Sequence, residues 1–224
     1  LSSILPSDLP VDSKPGRRPF RLTSRRIPAV ISETRDTDQV QLALAFHAPG
    51  RLHPSQHALR LLNVILGENT SSRLWTELRE NRGLCYDAGS DINSVQETGL
   101  LDIHAGIDPD KIEQVLKVIF TELRKLAERP VPASVLRAAV DFTIHASRMA
   151  LESTAHQMTI MAESALLYGR MIDLERVHRR LLAVTPEQIR RIAATIFRPG
   201  RLTAAMVGPE IDHQLILKAA KVLN

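Results

Sequence analysis

Residues 72–90, SRLWTELRENRGLCYDAGS, decide the reading of the fold, because they set a helix and a strand on either side of a tight turn. Leu74 and Leu78 are four apart and Trp75 and Leu78 three apart, which builds an apolar helix face. Ser71 or Ser72 is suited to cap the N–H groups at its start. Arg82-Gly83 reads as the stop, since glycine tolerates the left-handed conformation that closes a helix. An extended run over 84–92 follows, so Arg79 ends the helix and Tyr86 opens the strand.

Working outward, 26–33 and 40–47 are apolar, β-favouring runs separated by the polar turn TRDTDQ, and they predict two strands. Ala58, Leu61, Leu62, Ile65 and Leu66 recur at helical spacing over 55–66, with Gly67 as the expected close. The strand that holds Tyr86 is followed, after SVQET, by a second over 99–107, and the two read as an antiparallel pair.

Asp108-Pro109 is a helix start: aspartate caps and proline suits the first helical position. Ile112, Val115, Leu116, Ile119, Leu123 and Leu126 then make one apolar stripe that ends near Arg129-Pro130. Pro132 opens a further helix, expected to bury Val135, Ala139, Phe142, Ala146 and Met149. Helices over 154–167 and 174–183 precede Thr185, which with Gln188 three residues on has the form of a capping box for a helix to about Ile196. A last strand over 202–207 and a terminal helix over 211–223 complete the series. The predicted class is α+β: a two-layer sandwich of a mostly antiparallel sheet with helices packed on one face.

The chain has 224 residues, 44% hydrophobic and 24% charged, which fits one sizeable globular domain. Its opening, LSSILPSDLPVDSKPGRRP, is rich in Pro and Ser, so residues 1–25 read as an interdomain linker left from a longer polypeptide, 26–209 as the domain and 210–224 as a tail. The net charge is +4, from 29 basic and 25 acidic residues, and the arginine pairs are scattered over several elements, with only 4% aromatic residues; that composition reads as solvated surface and argues against a nucleic-acid partner. No apolar run approaches the ~20 residues needed to span a bilayer. The compartment stays open between cytoplasm and periplasm. Cys85, the single cysteine, cannot form an internal disulfide and reads as a small packed residue.

The segment 72–90 resembles the arginine and tyrosine motif in the C-terminal, zinc-free domain of pitrilysin-type (insulinase-type) zinc peptidases. The likeness runs through ALRLLNVILGENTSSRL (58–74), GLLDIHAGIDPDKIEQVL (99–116), LLAVTPEQIRRIAATIF (181–197) and LTAAMVGP (202–209), all in family order. It implies the fold of the processing-peptidase domains, which occur as pairs enclosing a chamber, and a bacterial-type zinc endopeptidase as the parent.

A zinc peptidase of this group needs H-x-x-E-H on a helix, with two imidazoles one turn apart for the metal and a carboxylate to activate its water. The nearest string is His53-Pro54-Ser55-Gln56-His57, with glutamine where the base must stand and Pro54 at the expected helix start. By register with the trailing glycine, the metal helix corresponds to 58–67, where Ala58, Leu61 and Leu62 fill the three chemical positions. No metal and no cofactor are therefore assigned to this chain. The resemblance places zinc on a homologous partner domain or subunit and makes peptides the substrates.

On residue chemistry alone, Arg79 reads as a charge at a helix end and Tyr86 as an ordinary strand aromatic. The resemblance gives both a catalytic-support role: Tyr86 as a donor to the oxyanion formed at the partner's zinc, Arg79 as a fork for a substrate carbonyl or carboxylate. A non-catalytic scaffold is the alternative that degenerate members of the group represent. Asp102 and His104 share a strand face, and His145, His156 and His178 read as helix-face residues without metal spacing. Glu152 and Glu163 read as solvated charges.

Overall fold

Strict alternation in VQLALAFHAP makes β2 (Val40–Pro49) a half-buried strand, with Val40, Leu42, Leu44, Phe46 and Ala48 turned inward. The computed structural model describes residues 28–209 and 212–223. Around β2 it builds a five-stranded sheet from β1 (Ala29–Thr34), β3 (Cys85–Ser94), β4 (Thr98–Ile107) and β5 (Leu202–Gly208), in the order β1-β5-β2-β4-β3. Only the β1 and β5 pair is parallel; the other three are antiparallel. The expected linker 1–25 lies outside the described residues, as do residues 26 and 27 of the first predicted strand.

Helices cover one face of the sheet. α1 (Gln56–Asn63), α2 (Ile112–Glu128) and α6 (Pro186–Ile196) pack on one another and on the inner strand faces, and α7 (Gln214–Ala220) packs on α2. All six stripe residues of α2 are buried, and Phe46 meets Phe197 edge to face at 5.3 Å between ring centroids. Gln41, Ala43, Asp91, Asn93, Thr203 and Ala205 leave the opposite face open to solvent. The layered α+β class is as the sequence predicts.

Three local readings are corrected. Gly67 does not end its helix: α1 runs on through a π-helical turn, Val64–Glu68, and stops at the extended Asn69. A Cβ on Gly67 would lie 2.5 Å from the Ser90 backbone nitrogen, so glycine is there for close packing on β3. Nor do the serines cap the next helical turn. Asn69 Oδ1 accepts the Ser71 N–H at 2.9 Å, while the Ser72 hydroxyl is buried without a partner among the described residues.

The third correction concerns α3 (Ala133–Ala150). It buries Leu136, Ala139, Val140, Thr143 and Ile144, and leaves Val135, Phe142 and Met149 exposed, Met149 at 70%. The helix carries two apolar stripes offset by one residue, and the one chosen meets α1 and its π-helical extension. Thr143 joins that stripe because its hydroxyl donates to the Ala139 carbonyl at 2.8 Å. α4 (Thr154–Tyr168) stands off the core, with only Ser164 buried, and α5 (Leu174–Leu182) returns the chain to α1 and α3. The caps at Asp108 and the Thr185–Gln188 box form as expected, the latter through Thr185 N–H to Gln188 Oε1 at 2.9 Å.

Candidate functional site

Arg79 and Tyr86 reach one another because of how each end of their connection is built. Leu74 and Leu78, fully buried, anchor a single π-helical stretch, Trp75–Glu80, against β3. Gly83 then takes φ of +57°, and its N–H returns to the Arg79 carbonyl at 3.0 Å. Cys85 pairs with Ile107 and Asp87 with Gly106, so Tyr86 is the extra residue of a β-bulge. Bulges re-aim side chains, and the Tyr86 side chain stands out at 77% exposure on an edge strand.

The Arg79 guanidinium carbon lies 4.3 Å from the Trp75 ring centroid and 5.1 Å from that of Tyr86. Among the described residues Arg79 makes no ion pair, in contrast with Arg82 beside it, which binds Glu77 and holds that carboxyl below its ordinary range. Two aromatic faces orient the Arg79 charge without neutralising it, leaving its N–H groups free for a carbonyl or carboxylate. The Tyr86 hydroxyl supplies a neutral donor beside it. Trp75 is the partner that the sequence reading left out, although its place four residues before Arg79 on one helix face was the available signal.

Cys85, next in line, is buried; burial and Asp87 push its thiol up, against the opposing charge of Arg79. That is the environment of a packed thiol rather than a nucleophile.

The α1 region does not fit zinc. Ala58, Leu61 and Leu62 are buried apolar side chains with no lone pair to offer. His53 precedes the helix, with Nδ1 engaged by Ser55 Oγ at 2.7 Å, and helix α1 begins at Gln56 rather than at Pro54. His57 is held below its ordinary value by burial first and by Arg180 second.

Asp102 and His104 do meet on the open sheet face, joined by Asp91, which stands directly across from Asp102. Their donor atoms lie within 4.8 Å of one another. All three are at least partly exposed, and Asp102 Oδ1 already accepts from Asn93 at 2.9 Å. His178 is not a helix-face residue: it is buried, with Nε2 2.9 Å from Ser147 Oγ. His145 and His156 are exposed, and Glu163 pairs with Arg51 at 2.8 Å.

An antiparallel-rich sheet under one helical layer, with an apolar helix where a zinc motif would stand and an arginine and tyrosine at an edge bulge, defines a layered, peptidase-like domain. Residues 1–141 match the family described as the peptidase M16 inactive domain, and the chain belongs to that family. An uncharacterized zinc protease of Streptomyces coelicolor is 30% identical over 209 residues, covering 93% of this chain and 44% of that protein. The uncharacterized zinc protease YmxG of Bacillus subtilis is 28% identical over 167 residues, 75% of this chain and 41% of that one. The chain thus spans less than half the length of these relatives. Among solved structures, a protease from Helicobacter pylori superimposes with a TM-score of 0.77 at 23% identity, over 89% of this chain and 49% of that one. A peptidase M16 inactive domain from Pseudomonas fluorescens does so with 0.73 at 21%, over 85% and 47%. Among the described residues no helix is long and apolar enough to cross a membrane.

Proposed function

We propose that this chain is the zinc-free half of a zinc metalloendopeptidase, inactive alone, whose residues 26–209 complete a substrate chamber facing a zinc-bearing domain or subunit. The observation that carries the reading is the pair of Arg79 and Tyr86, a half-buried guanidinium with no ion pair among the described residues and an exposed phenol, held together at an edge bulge. A packed core has no use for either in that position.

In this reading the Tyr86 O–H donates to the oxygen that becomes anionic when water adds to the scissile carbonyl, which lowers the barrier for that step. Arg79 binds a neighbouring main-chain carbonyl or a terminal carboxylate of the same peptide, fixing its position. Attack on the carbonyl belongs to the partner domain, since α1 carries the apolar Ala58, Leu61 and Leu62 where a zinc motif has its two imidazoles and its base.

A non-catalytic scaffold is the second reading, and the exposed apolar side chains Met149, Met158, Met161 and Leu166 are what favour it. Cleavage of an unstructured peptide mixture with zinc separates the two. Activity only when this chain is combined with a zinc-loaded partner, and lost on Tyr86→Phe, supports the chamber half. Silence of that combination, with the partner verified as folded and zinc-loaded, supports the scaffold, and cleavage by this chain alone overturns both.

A further inference from the structure

At the end of β3 remote from Tyr86, a cleft of about 460 Å³ opens between the start of α1 and the connection from α4 to α5. Ile92 in its wall is six steps along β3 from Tyr86, about 20 Å at the rise of a β-strand. The cleft is therefore a different place from the arginine and tyrosine site.

Its lining divides by chemistry. Leu59, Ile92, Ile172 and Val177 give it apolar walls, while Arg51, Arg60, Arg170, Arg176 and Arg180 bring five guanidinium groups to it. Two of the five are already neutralised, Arg51 by Glu163 and Arg60 by Glu68. Arg170, Arg176 and Arg180 have no acidic partner among the described residues. Arg176 and Arg180 stand one turn apart on α5, where like charges repel, so the free chain holds them together at a cost that an anion would remove.

Asp173 is the one acidic residue in the lining, and it is engaged elsewhere: Oδ1 caps α5 by accepting the Arg176 N–H at 3.2 Å, and Oδ2 lies 4.0 Å from Arg179. A further polar atom is left over in the lining. His57 Nε2 is shut off from solvent and has no hydrogen-bond partner among the described residues.

We infer that this cleft binds an acidic peptide segment, with carboxylates on Arg176 and Arg180 and an adjoining aliphatic side chain on the apolar wall. Planar guanidinium forks match carboxylates two bonds at a time, and the volume lies in the range of small-ligand sites. A phosphate group fits less well. The N–H groups that open α5, the usual phosphate cradle, face the carboxylate of Asp173, and Tyr168 and the largely covered His57 are the aromatic rings in the lining on which a base could stack. The inference goes beyond the role given to Arg79 and Tyr86 and does not depend on it, because binding is read without any cleavage.

The test is fluorescence anisotropy of the 224-residue chain with a fluorescein-labelled peptide of alternating Glu and Leu, at low salt. The expected result is saturable binding, with the matching Gln and Leu peptide about 10-fold weaker or worse, the scale of one charge-assisted bond. Arg176→Gln with Arg180→Gln weakens the acidic peptide at least as much, while Arg124→Gln on α2 leaves it unchanged. All three side chains of the test are solvent-facing or partly so, and a thermal melt checks that each variant is folded. Equal binding of the two peptides, no binding at about 1 mM, the weakest range in which an affinity is still meaningful, or a folded double variant that binds as before overturns the inference. Displacement by inorganic phosphate well below the concentration at which glutarate displaces the peptide also overturns it, in favour of a phosphate site.

Discussion

Arg79 lies over the ring of Tyr86, 5.1 Å from guanidinium carbon to ring centroid, although one residue ends a helical turn and the other is the odd residue of a bulge. Trp75, 4.3 Å from the same carbon, completes the aromatic setting of the charge. Tyr86→Phe keeps the ring under Arg79 and deletes only the hydroxyl. In the assay with a zinc-loaded partner it is expected to lower kcat about 100-fold, the size of one lost oxyanion donor, with KM little changed. Its melting temperature stays at the wild-type value, because the side chain is exposed. A Tyr86→Phe enzyme with full kcat would remove the donor role.

Gly67 and Gly83 make opposite predictions from the same substitution. Gly83 has φ of +57° and open space around it, so Gly83→Ala costs about 1–2 kcal/mol through the backbone alone. Gly67→Ala sets a Cβ 2.5 Å from the Ser90 nitrogen and costs about 1–3 kcal/mol through displaced backbone. Asparagine tells them apart. Gly83→Asn recovers most of the loss, since asparagine enters the left-handed region readily, whereas Gly67→Asn is worse than Gly67→Ala in urea melts.

Stability is expected to fall on mild acidification. In the unfolded chain His57 takes up a proton near its ordinary value of 6.5, but in the fold burial and then Arg180 hold it neutral to lower pH. Between those two values the unfolded state binds more protons, so the unfolding free energy drops as pH falls below about 6.5 and levels off beneath the folded value. His47 adds to the same trend, through burial and then Arg201. Urea melts at about pH 7.5 and about pH 5.5 measure it, and His57→Gln flattens the difference. Followed by NMR, His57 in Arg180→Gln titrates higher than in the wild type yet still below 6.5, because burial is the larger cause. A His57 that titrates at its ordinary value in the wild type would refute the account.

What the sequence made legible was what short-range periodicity encodes. The stripe of α2, the strands around Phe46 and Ile103, the Thr185 capping box and the left-handed Gly83 all depend on neighbours within a turn or two. The helix α3 was misread because two apolar stripes compete on it, and only the position of α1 decides between them. Gly67 was misread for a related reason: its partner, Ser90, is on a strand beyond the next helical turn. The bulge at Tyr86 and the meeting of Asp91 with Asp102 follow from cross-strand register, which alternation leaves free. The parallel pairing of Ala29 with Thr203 joins the two ends of the described chain, and no local signal carries it. Arg79 and Tyr86 were legible as a motif, whereas their contact was a product of the turn and the bulge together.

Glu122 gives the sharpest stability test, because it is a carboxylate left only 4% exposed among the apolar residues of α2. Lys125 Nζ donates to Oε1 at 2.5 Å, and Arg73 Nη1 donates to Oε2 at 3.3 Å, which ties the helical residues before Trp75 to α2. Glu122→Ala removes the acceptor for both and leaves Arg73, 26% exposed, partly buried without its countercharge. A fully buried pair broken in this way loses about 3–5 kcal/mol; with Lys125 half in solvent the expected loss here is about 2 kcal/mol. For a domain of this size that lowers the melting temperature by about 4–8 °C. Glu122→Gln keeps the shape and one acceptor, and is expected to fall between the two. Because Arg73 precedes the turn that presents Arg79, Glu122→Ala should also speed amide exchange across Trp75–Glu80 before the sheet opens. Unchanged exchange there, with the melting temperature lowered, would mean that the ion pair stabilises α2 and does not hold the site.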